Sequence, residues 1–144
     1  MTIGLLALTS SAAFWGVAVY VLFVEHVARE ALDDRGALTE WKPSYKRGAV
    51  MQALIALIST VLGALAWWQS SNLWFAAGAI LSLLPWPWTL LVIKPTNDKL
   101  LETPLDRAGP ETRRLLSRWG RFHAVRMGLG GAATLAFLIG LIGL

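Results

Sequence analysis

Four stretches of this chain are long and apolar enough to cross a lipid bilayer as helices. They cover residues 3–24, 49–68, 73–93 and 127–144, each 18 to 22 residues long. At a rise of 1.5 Å per residue, each spans roughly 30 Å, the thickness of the hydrocarbon core. None shows the polar and apolar alternation of a barrel strand, so their backbone amides must pair within helices. We therefore predict an all-α, integral membrane four-helix bundle. It forms a single transmembrane domain over residues 1–144, with helices at about 3–25, 47–68, 73–94 and 120–143.

The composition excludes several classes of protein. Hydrophobic residues make up 56% of the chain and charged residues 15%, whereas soluble domains carry about 25% charged residues. A soluble globular domain and a disordered chain are both excluded. The chain has no cysteine, which excludes a disulfide framework, a cysteine-ligated metal centre and a thiol nucleophile.

All the charged residues fall within two segments, 25–47 and 94–126, which hold the 13 Lys and Arg and the 9 Asp and Glu. Consecutive helices alternate in direction, so both segments lie at one end of the bundle. The positive-inside rule puts these two longer segments in the cytoplasm and both termini outside. We expect a multi-pass protein of a bacterial inner membrane. Contact with the lipid bilayer accounts for the net charge without a nucleic-acid partner, and a homo-oligomer is compatible with these features.

Prolines and glycines predict where the helices are irregular. Pro85 and Pro87 remove backbone donors inside the third apolar stretch and predict a kink there. Pro95 disfavours helical geometry at Lys94 and predicts the end of that helix. Breaks that divide the charged segments into short interfacial helices are expected at Gly36, Pro43, Pro104 and Pro110.

Small residues recur at every fourth position of the last helix and predict a packing face. They are Ala124, Gly128, Ala132, Ala136 and Gly140. Such a stripe lets a neighbouring helix approach closely.

Both histidines of the chain stand three residues before an arginine at a predicted helix end. His26 precedes Arg29, and His123 precedes Arg126. Residues three apart share a helix face, and the first and last helices of a four-helix bundle are often neighbours. We expect the two pairs to converge on one cavity near the inner membrane surface. The alternative interpretation is that these side chains only position the helix ends at the headgroups.

Several short elements of the sequence resemble the anthrone oxygenase-like family of small four-helix membrane proteins. They are Glu25-His26 with Arg29, Trp41-Lys42-Pro43-Ser44-Tyr45 with Arg47, Trp86-Pro87 with Thr89, Pro95-Thr96-Asn97 with Leu100, and Trp119 with His123 and Arg126. The Glu25-His26 pair and the Pro-Thr-Asn run look like the bacterial members. The resemblance implies an oxidoreductase that acts on a hydrophobic aromatic substrate in a pocket at the cytoplasmic half of the bundle.

The chemistry that this resemblance implies needs a base, an oxyanion stabiliser and a flat apolar pocket. An anthrone loses an acidic C–H proton to give an enolate that reacts with O₂ directly, so the scheme requires no cofactor. A histidine is a suitable base near neutral pH, an arginine can stabilise the enolate oxygen, and aromatic side chains can form the walls. The candidate catalytic residues are His123, His26, Arg126 and Arg29, and the candidate substrate-binding residues are Tyr45, Trp88, Asn97 and Trp119.

A second hypothesis is a metal- or haem-binding redox protein. Glu25, His26 and His123 offer oxygen and nitrogen donors for iron or copper, and the two histidines suit the axial positions of a haem. However, adjacent Glu25 and His26 point about 100° apart on a helix, which makes joint ligation awkward.

A third hypothesis is a non-catalytic assembly subunit. Residues 111–122 place apolar side chains at helical spacing among arginines, as an interfacial amphipathic helix does. A partner would then dock on Arg113, Arg114 and Arg118.

Overall fold

The structure, a computed structural model, describes residues 1–143 as four long helices and confirms the predicted all-α bundle. The helices are α1 (Thr2–Glu30), α2 (Asp34–Ser70), α3 (Leu73–Glu102) and α4 (Pro110–Ile142). All four are long and apolar enough to cross a membrane. A short 3-10 turn, Leu105–Arg107, lies between α3 and α4. Leu144, the last residue of the predicted domain, lies outside the described residues.

The four helices form a closed ring in which each packs against its neighbours in sequence. In addition, α1 packs against α4, as predicted. The α2–α3 turn lies at the same end as both termini. Asn72 donates a hydrogen bond from Nδ2 to the carbonyl of Gly140 (3.2 Å), and Gly4 lies beside Phe75 and Leu141. Residues 25–47 and 94–126 therefore meet at the opposite end, which we call the charged end.

The predicted break in the first charged segment is wrong. Helix α2 begins at Asp34, not near residue 47, and runs through Gly36 and Pro43 without interruption. Asp33 caps the helix by accepting a hydrogen bond from the backbone N–H of Gly36 (2.6 Å). The loss of one backbone donor at Pro43 is outweighed by tertiary packing, since the neighbouring Trp41 is completely buried.

The predicted kink and the predicted end of α3 have different outcomes. The regular α-helix is interrupted at Leu84, immediately before Pro85, although the backbone there stays helical, and the predicted kink stays a prediction. It does not end at Lys94, however, because a π-helical turn over Thr89–Ile93 precedes Pro95 and the helix continues to Glu102. The π turn bonds the Lys94 N–H to the carbonyl of Thr89, which changes the backbone register just where a proline removes a donor.

The second charged segment is divided between α3 and α4, close to the predicted breaks. Lys42 of α2 donates to the carbonyls of Leu101 (2.9 Å) and Thr103 (2.7 Å), so a cation stabilises the end of α3. Pro110 opens α4, about ten residues earlier than predicted.

The buried face of α4 differs from the predicted small-residue stripe. Gly128 and Ala132 are exposed. The residues of this half of α4 that face the bundle are Gly130, Ala133, Ala136, Phe137 and Gly140. The helix is rotated because the ring of Phe137 fills the space beside Gly63 and Gly78, where a larger residue would collide with it.

The core consists of two apolar clusters separated by a polar layer. Ala7, Phe75 and Phe137 belong to the cluster near the termini, and Trp41 and Trp119 to the one at the charged end. Between them, two hydroxyl pairs connect the helices: Ser11 with Thr134 (3.0 Å) and Ser59 with Ser82 (3.1 Å). Hydrogen bonds of this kind hold membrane helices together where apolar burial contributes little.

Candidate functional site

A cavity of about 350 Å³ opens at the charged end between α1, α2 and α4. Its polar wall consists of Glu25, Ser44, Tyr45, Arg47, Gln52, His123 and Arg126. Its apolar wall includes Val17, Tyr20, Val21, Met51 and Trp119. The cavity therefore joins a polar wall to an apolar wall that includes exposed side chains, as small-molecule sites usually do.

Two buried polar side chains of α4 face this cavity without hydrogen-bond partners. Neither ring nitrogen of His123, which is 1% exposed, is hydrogen-bonded within residues 1–143. The carbonyl of Ala18 lies near the ring but outside hydrogen-bond geometry. The Arg126 Nε and Gln52 Oε1 atoms also lack partners in the described part of the chain. Buried polar atoms are almost always paired, so these groups are candidates for contact with a ligand.

The indole of Trp119 forms part of the cavity wall. It stacks on the imidazole of His123 with ring centroids 5.0 Å apart and planes inclined by 19°. Trp41 packs edge-on against the same indole at 6.0 Å, and the Arg29 guanidinium lies 5.5 Å from its centroid. These contacts fix the plane of the indole, and through it the plane of His123.

The comparison with protein families matches the same residues. The family model of anthrone oxygenase matches residues 41–136, two thirds of the chain. The chain belongs to the anthrone oxygenase family. No curated protein and no solved structure matches it. The matched region of this family member contains Tyr45, Trp119, His123 and Arg126 and begins after His26 and Arg29.

The second histidine–arginine pair lies beside Trp119 and outside the cavity wall. The His26 ring is 5.9 Å from the indole centroid, and its Nε2 atom is 3.5 Å from Glu30 Oε1. Both His26 and Arg29 are buried, but neither contributes to the cavity wall. Of the two predicted pairs, the structure thus brings only His123 and Arg126 to the cavity.

Arg29, itself buried, instead holds an ion cluster at the junction of α1 and α2. It donates to Glu25 through Nη2 (2.6 Å) and to Glu40 through Nε. Ser44 donates a further hydrogen bond to Glu25. Arg29 is thereby committed to two carboxylates, while Glu25 presents part of its side chain to the cavity.

The remaining predicted binding residues occupy different positions relative to the cavity. Tyr45 lines it and stacks on Trp41 with centroids 4.7 Å apart. Asn97 lies behind Tyr45 and donates to its hydroxyl (3.1 Å), so it positions Tyr45 rather than contacting a ligand. Trp88 lies outside the cavity and donates from Nε1 to the carbonyl of Phe122 (3.1 Å), which ties α3 to α4.

The predicted metal-ligand set is not assembled. Across residues 1–143, no three His, Asp or Glu side chains converge closely enough to hold a metal ion. Glu25 is paired with Arg29. His26 and His123 both pack against Trp119, which occupies space that a haem between them would need.

The arginines proposed for partner docking make contacts within the chain. Arg113 donates to Asp34 through Nε (2.8 Å) and to the carbonyl of Leu32 through Nη2 (2.6 Å). Arg114 pairs with Glu111 at 2.5 Å. Arg113 therefore ties α4 to the α1–α2 turn, and docking of a partner on these arginines stays a prediction.

The sequence prediction assigns no role to Ser44 or Gln52, although both line the cavity. Gln52 carried a usable signal, since it is the only amide within the second apolar stretch and a buried amide in a membrane helix is costly unless it serves a purpose. Ser44 carried only its place in the run Trp41–Tyr45 that resembles the family, because its partner Glu25 is 19 residues away on another helix.

Proposed function

We propose that this protein uses O₂ to oxidise a hydrophobic aromatic substrate that carries an acidic C–H bond conjugated to a carbonyl, as anthrones do. One observation carries the proposal: His123 and Arg126 face one cavity with unpartnered nitrogen atoms, beside the flat indole of Trp119. Membership of the anthrone oxygenase family supports the same chemistry.

The dimensions of the cavity suit such a substrate. Its volume of about 350 Å³ falls within the range of roughly 300–1,000 Å³ that is usual for small-molecule sites. An aromatic ring system can enter the cavity beside Trp119 with its carbonyl oxygen toward Arg126. The apolar wall at Tyr20 and Met51 leaves the far edge of the substrate in contact with the membrane.

His123 takes the role of general base. One ring nitrogen accepts the C–H proton, and the electron pair of that bond moves into the enolate. Arg126 stabilises the enolate oxygen by charge and hydrogen bonding, an effect that is strong in a site shielded from water. Gln52 and Tyr45 supply further polar contacts at the edge of the cavity.

The oxygenation that follows balances without another reactant. The enolate carbon forms a bond to O₂, and the proton held by His123 completes a hydroperoxide. Loss of water then breaks the O–O bond and removes the remaining C–H proton, which leaves a new carbonyl group. One O₂ thus supplies one oxygen atom to the product and one to water.

The charged end is proposed to face the cytoplasm of a bacterium, with the bilayer as the main partner of the helices. The positive-inside rule supports this orientation, because all 13 Lys and Arg residues lie within segments 25–47 and 94–126.

The direct test compares the two histidines. His123→Ala and His26→Gln are purified in lipid nanodiscs, and O₂ consumption and quinone absorbance are followed with an anthrone substrate. We expect His123→Ala to lower kcat by about 10²–10⁴-fold, the usual contribution of a general base, and His26→Gln to retain most of the activity. Added imidazole should partly restore His123→Ala if the lost group is a base.

Two results would contradict this assignment. Wild-type turnover in folded His123→Ala would exclude His123 as the base. Loss of activity in His26→Gln with full retention in His123→Ala would assign the base to the other histidine. Retention of the wild-type thermal unfolding profile by both variants is the control for folding.

A further inference from the structure

A second, smaller cavity lies on the other side of Arg126, between α2 and α3. Its volume is about 150 Å³. Its wall includes Ala53, Ala56, Pro85, Thr89, Leu90 and Arg126. Arg126 and Ala49 line both this cavity and the larger one, so the two spaces adjoin at these residues.

The sequence creates this space in two ways. On α2, alanines face the gap where larger apolar residues would fill it. On α3, the helix is interrupted at Leu84 and then widens into the π turn Thr89–Ile93. An irregular helix opposite small side chains leaves a void that regular packing would close.

The size and surroundings of the cavity limit which molecules can bind in it. A dry cavity of about 150 Å³ accommodates xenon or benzene and is too small for the ring system that the larger cavity accepts. Leu90 is 55% exposed at its rim, where hydrocarbon surrounds the bundle. A small apolar molecule dissolved in the bilayer can therefore reach it.

The polar groups on the cavity wall further limit which small molecules it suits. The Thr89 hydroxyl is buried and without a partner in the described residues, and Arg126 contributes a cation. Both groups donate hydrogen bonds. Donors without acceptors suit a molecule that gains negative charge during the reaction, and O₂ does so when it accepts an electron from an enolate.

We propose that the α2–α3 cavity is the O₂ site, from which O₂ reaches the substrate past Arg126. This inference rests on the proposed oxygenation. The enolate in the larger cavity transfers one electron to O₂, and recombination of the resulting radical pair forms the C–O bond of the hydroperoxide. Arg126 stabilises the negative charge on both sides, which gives O₂ and substrate separate routes to one reaction point.

Kinetics test the route with a matched pair of variants on one helix. Ala53→Leu fills the cavity, whereas Ala64→Leu makes the same change at an exposed position of α2. We expect Ala53→Leu to raise the KM for O₂ by at least about fivefold while the KM for the aromatic substrate stays within about twofold. Ala64→Leu should change neither constant. An unchanged KM for O₂ in folded Ala53→Leu would overturn the proposal.

A second measurement uses the wild-type protein and needs no turnover. O₂ is paramagnetic and shortens the relaxation time of nearby nuclei, so alanine ¹³C-methyl spectra are recorded in nanodiscs under nitrogen and under oxygen pressure. Ala56 and Ala7 are both buried, at 2% and 0% exposure, but only Ala56 lines the cavity. We expect a larger oxygen effect at Ala56, and an equal effect at both methyls would refute the site.

The two measurements separate this inference from the proposed function. A strong oxygen effect at Ala56 in a wild-type protein that does not turn over anthrones would support the O₂ cavity and refute the proposed substrate. Turnover without an oxygen effect at Ala56 would support the proposed oxygenation and refute the cavity as the O₂ site.

Discussion

Replacing Arg29 tests whether its ion cluster with Glu25 and Glu40 holds the charged end together. Arg29 is 2% exposed and is paired with Glu25 and Glu40. Arg29→Leu preserves an aliphatic side chain but leaves both carboxylates without their counter-charge. The loss of one partner from a buried ion pair costs about 3–5 kcal/mol. The two carboxylate side chains are 22% and 37% exposed, so hydration offsets part of this cost, and we expect a loss of about 2–4 kcal/mol.

The assay is the free energy of unfolding in mixed micelles, measured by titration with SDS. A triple variant, Arg29→Leu with Glu25→Gln and Glu40→Gln, removes the stranded charges and should recover at least half of the loss. Arg121→Leu is the matched control, because Arg121 is exposed on α4 and surface substitutions usually change stability by less than about 0.5 kcal/mol. A change below about 1 kcal/mol for Arg29→Leu, or a triple variant no more stable than the single, would refute the reasoning.

Two further predictions concern packing and topology. Gly120→Ala should destabilise the bundle by about 1–3 kcal/mol, because the added methyl group would collide with the imidazole of His26. A methyl group added at Gly128 meets no atom within 4 Å among the described residues, so Gly128→Ala should be neutral or slightly stabilising. If both variants shift the thermal unfolding temperature equally, the contact between Gly120 and His26 is refuted. The chain has no cysteine, so Gln69→Cys and Asp106→Cys report topology without background. An impermeant maleimide should label position 69 in intact cells and position 106 only after permeabilisation, and the reverse pattern would invert the orientation.

The membrane spans were predictable because hydropathy depends on local composition alone. The helix ends were not, since they depend on tertiary contacts. From the sequence alone, Pro43 predicts a helix break. It lies inside α2 because Trp41 is buried against other helices. Pro95 likewise predicts the end of the helix, but the π turn before it lets α3 continue.

The residues of the candidate site were predictable from sequence, but their contacts with other helices were not. The spacing of His26 and Arg29 equals that of His123 and Arg126, and it shows only that each pair shares a helix face. It does not show which neighbour that face meets. Glu40, 11 residues beyond Arg29 and on the next helix, binds Arg29, whereas no carboxylate pairs with Arg126 in the part of the chain that the structure describes.

The contrast between Arg29 and Arg126 separates a structural cation from one available for chemistry. The two arginines are similarly buried, at 2% and 8% exposure, and burying a cation at membrane depth is costly unless it is paired. Two carboxylates compensate Arg29, whereas Arg126 lies 5.7 Å from the ring centroid of Phe14, a contact worth about 0.5–2 kcal/mol. Most of the electrostatic stabilisation that Arg126 can supply therefore remains for an anion that enters the cavities on either side of it, such as an enolate or reduced oxygen. A reaction that develops negative charge at this point gains from a cation that the fold has left unpaired.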